Sequence, residues 1–283
     1  MARRAAKTAK TARPSRGPAA PARRPGLRLL LAACGVALVA FLGLQLASLP
    51  SSDQIARLKT AQVRDTEVMR QRVDEAAARG KKLKPRQQWV ELEQISKPAI
   101  TAVLTSEDAR FFSHGALDLK EMGEAIQDKI EEGRPLRGAS TLTQQVAKNL
   151  YFGNDRSFLR KAKEAYVAWR MEETLSKRRI LRLYLNIAEW GPGVFGIEAA
   201  AQTHLKKHAS ELSLAEGAAL AAMLPNPLRF TPQAPKVLRR HAGHVLDRCL
   251  DDRVATAEEI AAANTELDRW LGPEGGAKVS EDD

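Results

Sequence analysis

The feature that most limits what this chain can fold into is an uncharged apolar stretch from Leu29 to Leu49, whose polar side chains Gln45 and Ser48 stand near its far end. As a helix its 21 residues would measure about 31 Å, the hydrocarbon thickness of a bilayer. Arg3, Arg4, Lys7, Lys10, Arg13, Arg16, Arg23, Arg24 and Arg28 precede it, and residues 1–28 contain no acid. A basic block before an apolar span holds the N-terminus in the cytoplasm and sends the bulk of the chain outside. A cleaved signal peptide has a shorter apolar region, and Ala47-Ser48-Leu49 is not a small-x-small cleavage site. A buried core helix would leave nine flanking cations without a reason. The expectation is a retained, single-pass anchor.

The net charge of +11 belongs to that N-terminal block, because the remainder carries 36 basic against 34 acidic residues. The charge is therefore no signal for nucleic acid. Cys34 lies inside the apolar stretch and Cys249 near the C-terminus, so no internal disulfide is expected even though an extracytoplasmic compartment would permit one. Cys249 reads as a small buried hydrophobe.

The expected order is a basic cytoplasmic tail (1–28), a transmembrane helix (29–49), a juxtamembrane stalk (50–88), a folded domain (89–271) and a polar tail (272–283). Residues 53–84 are polar and Ala-rich without a wide apolar face, and Pro85 ends them before Trp89-Val90-Glu91-Leu92 opens the domain. Beyond residue 97 apolar side chains recur every three or four positions: Leu142, Val146 and Leu150; Leu159, Ala162, Tyr166 and Trp169; Leu214 and Ala218. Gly133-Arg134-Pro135, Gly153-Asn154-Asp155 and Gly191-Pro192-Gly193 punctuate the pattern. A closing helix is expected at about Lys236 to Asp251. With no alternating run long enough for a central sheet, the fold class is mainly α.

Four stretches are candidates to carry chemistry. Glu107 and Asp108 end the apolar run Ala99–Leu104 and stand beside Phe111, Phe112 and His114. Desolvation there raises a carboxylate's pKa and suits a general base or acid, while the same residues also fit a helix cap facing water. In Gly138-Ala139-Ser140-Thr141-Leu142-Thr143-Gln144-Gln145, Ser140, Thr143, Gln144 and the following Lys148 make a polar ribbon along a helix start, fit for a sugar or an anion, or for a plain N-cap. Arg156 to Glu164 sets Arg156, Arg160, Lys161 and Lys163 around one acid, as a phosphate cradle or a surface ion pair. Lys177, Leu181 and Tyr184 share a helical stripe that reads as packing. His241 and His244 are too few for zinc, and the glycines near 191 lack the strand that a nucleotide fold requires.

Taken in order, these stretches resemble the peptidoglycan glycosyltransferases of family 51, most closely the monofunctional membrane-anchored branch. Glu-Asp-x-x-Phe-x-x-His stands as Glu107, Asp108, Phe111 and His114. Gly-x-Ser-Thr-x-Thr-Gln-Gln runs from Gly138 to Gln145, and Arg-Lys-x-x-Glu is Arg160, Lys161 and Glu164. Lys-x-x-Ile-Leu-x-x-Tyr-Leu-Asn runs from Lys177 to Asn186, and Glu189-Trp190-Gly191 with Gly193 to Ala200 is similar to the fifth motif. Two positions depart from the pattern. Ala116 stands where a glycine is usual, and His204-Leu205 replaces a Tyr-Phe pair.

The resemblance implies a lysozyme-like glycosyltransferase domain with a small jaw lobe, which polymerises lipid II into β-1,4-linked glycan and releases undecaprenyl pyrophosphate. It implies Glu107 as the base and Asp108 and His114 as residues that orient its loop. Lys148, Arg156, Arg160, Lys161 and Lys163 would cradle the pyrophosphate. Ser140, Thr143, Gln144 and Gln145 would position sugar or phosphate oxygens. Glu164 would hold a divalent cation (Mg²⁺ or Mn²⁺) or arrange the cations, with no organic cofactor. The implied partners are lipid II, the growing lipid-linked strand, the membrane and cell-division or elongation proteins; the implied location is the plasma (inner) membrane with the domain periplasmic. Two alternatives stay open at this point: a lysozyme-like hydrolase or lytic transglycosylase, and a non-catalytic cell-wall scaffold.

Overall fold

The structure, a computed structural model, describes residues 25–132, 140–154 and 157–273. Most of the basic tail, the polar tail from residue 274, Gly138 and Arg156 lie outside the described residues. The chain divides after Ser48 into two units. The first holds helix α1 (Pro25–Ala47), whose large apolar side chains, among them Leu29, Val36, Val39 and Leu44, are exposed. Among the described residues it is the one helix long and apolar enough to cross a membrane.

The second unit runs in the order α2 (Ser52–Arg57), α3 (Glu67–Ala78), β1 (Arg86–Gln87), α4 (Lys97–Glu107), α5 (Leu119–Glu132), α6 (Leu142–Ala147), α7 (Phe158–Thr174), α8 (Lys177–Ile187), β2 (Val194–Phe195), α9 (Ile197–His204), α10 (Leu214–Met223), α11 (Pro235–Asp251) and α12 (Ala257–Leu271). This is the mainly α architecture that the periodicity predicts. Helix starts are written into the sequence: Thr66, Ser96, Thr141, Ser157, Ser176, Ser213 and Thr256 each accept a backbone N–H of their own first turn. Among the described residues the sheet is one two-residue parallel pairing of β1 with β2.

α10 forms the centre. From Ala215 to Met223 every residue is buried, and the helix packs against α4, α11 and α12. Gly217 makes the tightest of these approaches, for a Cβ there would lie 2.6 Å from the Cα of Ala99. α4 is held closely along its length and ends at Glu107. α6 packs on both α7 and α8, which brings the polar ribbon against the cationic stretch on one side and Tyr184 on the other. A π-helical turn, Lys148–Phe152, follows α6.

The stretch 50–88, expected as a stalk, is folded into the second unit. Ile55 and Leu58 are buried in the main core, while Val68 and Met69 pack with Phe195. So few apolar side chains leave no wide hydrophobic face in the sequence, and a tertiary partner decides the outcome. Cys249 is buried, as its setting predicts.

Candidate functional site

Glu107 is the last residue of α4 and is partly buried. Its Oε2 accepts from Gln145 Nε2 at 2.9 Å and from the Tyr184 hydroxyl at 3.4 Å. Burial pushes its carboxyl up from the ordinary value, opposed by the bonds from Gln145 and Tyr184 and by the charges of Lys148 and Arg248. Burial prevails, leaving a carboxylate that is more basic than one in water.

Asp108 fixes the loop that follows. One oxygen accepts the Leu142 N–H at 2.8 Å and the other lies 2.7 Å from His114 Nε2, whose Nδ1 lies 2.6 Å from the Gly115 carbonyl. The Thr141 hydroxyl donates to the Ala116 carbonyl at 2.7 Å. Lys177 reaches beneath the same loop, its ammonium 4.4 Å from the centroid of the buried Phe111 ring. Ala116 is not among the described residues with left-handed backbone, so alanine is accommodated there without strain. The second departure is also built in, because His204 Nε2 lies 2.8 Å from the Trp190 carbonyl.

Glu107 lines one cavity, and a second adjoins it through shared residues. One, of about 400 Å³, is lined by Glu107, Ser140, Gln144, Gln145, Lys148, Arg160, Lys161 and Glu164. The other, of about 410 Å³, shares Gln145, Lys148 and Arg160 and adds Arg72, Tyr184 and Glu189. Lys148 and Lys161 are pushed down from the ordinary lysine value, first by burial and then by neighbouring cations. Glu164, buried on α7, is ion-paired with Arg160 and lies 3.5 Å from Lys161 Nζ, which also donates to Ser140 Oγ at 2.7 Å.

Eight of the expected residues therefore line one cavity. Asp108 and His114 stand behind it and support the loop. Thr143 is wholly buried and donates to Glu172, tying α6 to α7. Gln144 lines the cavity while its carbonyl closes the cap of α6 on the Thr141 N–H. Lys163 is not among the lining residues of either cavity.

A divalent cation finds a poor protein-side donor set here. Both oxygens of Glu164 face cations, and the described residues contain no group of three or more His, Cys, Asp or Glu side chains placed to hold a metal. An ion of this kind takes oxygen ligands in number, and these residues do not supply them.

Three contributors went unread in the sequence. Tyr184, taken for packing, contacts both Glu107 and Gln145. The signal was present, since a tyrosine on a buried stripe brings a hydroxyl that needs a partner. Arg72, on the stretch taken for a stalk, bonds Glu189 at 2.8 Å across the second cavity. Arg248 of α11 donates to the Ser106 carbonyl at 3.0 Å. Neither arginine has a local signal, because tertiary packing alone brings it there.

The family model described as Transglycosylase matches residues 74–250. A biosynthetic peptidoglycan transglycosylase of Aromatoleum aromaticum is 42% identical over 65% of this chain and 80% of its own length. Proteins of the same description from Rhodospirillum centenum and Pectobacterium carotovorum are each 47% identical, over 56% and 52% of this chain and 69% and 60% of their own lengths.

Proposed function

The chain belongs to the transglycosylase family, and on that premise we propose that it polymerises lipid II into linear β-1,4-linked glycan strands of peptidoglycan, releasing undecaprenyl pyrophosphate. The observation that carries this reading is one cavity in which a carboxylate of raised pKa, Glu107, faces the cations Lys148, Arg160 and Lys161. Inverting transfer requires both parts. A base takes the proton from the acceptor sugar's hydroxyl as it attacks, and positive charge stabilises the diphosphate as it departs. A hydrolase needs the acid but has little use for the cations.

In this reading Glu107 is the base and Gln145 and Tyr184 hold it. Lys148, Arg160 and Lys161 receive the diphosphate, with Glu164 keeping the last two in place. Ser140 and Gln144 offer polar groups to the sugar or phosphate oxygens. No step passes through a divalent cation. A lipid-linked donor and acceptor remain at the membrane, which gives the apolar helix its purpose. The basic block before that helix supports a cytoplasmic N-terminus and a periplasmic domain in the inner membrane.

The test is polymerisation of lipid II by the purified full chain in detergent. Glu107→Gln is expected to lower the rate by about 10²–10⁴, the usual contribution of a general base. The variant's fold should survive with a higher melting temperature at neutral pH. A carboxyl whose folded pKa is raised contributes stability below its unfolded value and loses it as pH rises, and glutamine removes that loss. Undiminished polymerisation by the variant would take Glu107 out of the mechanism. Release of sugar from finished peptidoglycan, with lipid II untouched, would favour the hydrolase.

A further inference from the structure

A second concentration of positive charge lies away from the two cavities already described, where the start of α8 meets the turn after α2. A cavity of about 310 Å³ there is lined by Lys59, Arg178, Arg179 and Arg182, with Ser176 and Glu93. Glu93 pairs with Arg178 at 2.7 Å, and Glu91 pairs with Arg182. Four cations thus meet two carboxylates, and Lys59, which is exposed, makes no ion pair among the described residues.

Arg179 is the unusual member. It is buried, and its guanidinium donates to the carbonyls of Leu58 (2.5 Å) and Ala61 and lies over the Trp89 ring, 5.5 Å from its centroid, with no carboxylate bonded to it among the described residues. Burial and then the neighbouring Arg182 push it down to about 10, against the pull of Glu91. Ser176 Oγ accepts the Arg179 N–H and so keeps its own proton to give. Three guanidinium groups, an ammonium and a hydroxyl around one cavity match a tetrahedral oxyanion, and arginine suits that partner through paired N–H donors.

We propose that this cavity is a binding site for a phosphate group, that of an anionic phospholipid headgroup. Phosphate is the shared chemistry of a lipid headgroup and of the free ion. The lipid is favoured because Lys59 lies only ten residues beyond Leu49, the end of the apolar stretch, so the chain can hold it no more than about 36 Å from that end, and basic side chains close in sequence to a span are drawn to anionic headgroups. The site goes beyond glycan polymerisation and does not depend on it.

The experiment is thermal denaturation of the full chain in neutral detergent and phosphate-free buffer, titrated with dihexanoyl phosphatidylglycerol, dihexanoyl phosphatidylcholine or inorganic phosphate. Phosphatidylglycerol is expected to raise the melting temperature saturably and phosphatidylcholine not to. The double variant Lys59→Gln/Arg178→Gln changes two exposed side chains and should weaken the response at least tenfold in concentration. Glu93→Gln removes a competitor for Arg178 and should strengthen it. A response unchanged in both variants would overturn the site, as would no response in the parent chain. An equal response to inorganic phosphate would overturn the lipid as its source.

Discussion

Replacing Tyr184 with phenylalanine isolates one hydroxyl at the proposed base. The ring is wholly buried and its O–H lies 3.4 Å from Glu107 Oε2 and 3.3 Å from Gln145 Oε1. Phenylalanine keeps the ring and the packing. A hydrogen bond to a charged group is worth about 1.5–3 kcal/mol, but a single proton shared between two acceptors at these lengths belongs nearer about 1 kcal/mol. That is roughly a fivefold change in rate or equilibrium. The sign follows from the direction of the bond. It favours the carboxylate and opposes the burial that raises the Glu107 pKa, so its loss raises that pKa further. The assay is kcat/KM for lipid II polymerisation across a pH series. The acid limb should move to higher pH, with the rate on that limb down about fivefold and the loss recovered on the plateau. An acid limb that stays in place, moves to lower pH, or is replaced by an equal loss at every pH would refute the reasoning.

Two further outcomes follow from the same geometry. The depressed lysines at the cavity should lose their charge below the ordinary lysine range, bringing the alkaline limb of kcat down with them; Lys148→Arg, which stays protonated, should extend that limb to higher pH. Gly217→Ala should destabilise the fold by about 1–3 kcal/mol in denaturant titration, the usual cost of overpacking, because its methyl would meet the Ala99 backbone.

The parts of the site legible in the sequence are those whose meaning is local. Glu107 and Asp108 close an apolar run, Thr141 and Gln144 spell out a capping box, and Arg160 and Glu164 stand one helical turn apart. Each is ambiguous alone, and their order along the chain resolved the ambiguity. What escaped depends on distant partners. Tyr184 differs from a packing residue only through the Glu107 carboxylate that α4 delivers to it. Arg72 matters through Glu189, 117 positions away. α3 offers only Val68 and Met69 as buried residues, too few to announce a docked helix.

The absorption of residues 52–88 into the folded unit has a consequence for how the protein works. α1 ends at Ala47 and α2 begins at Ser52, so almost no free leash joins the apolar helix to the domain. A domain on a long leash would sweep through a volume that holds no lipid-linked substrate. With donor and acceptor both lipid-linked, as proposed, the search for substrate is two-dimensional, and encounter depends on how such molecules crowd and diffuse within the bilayer.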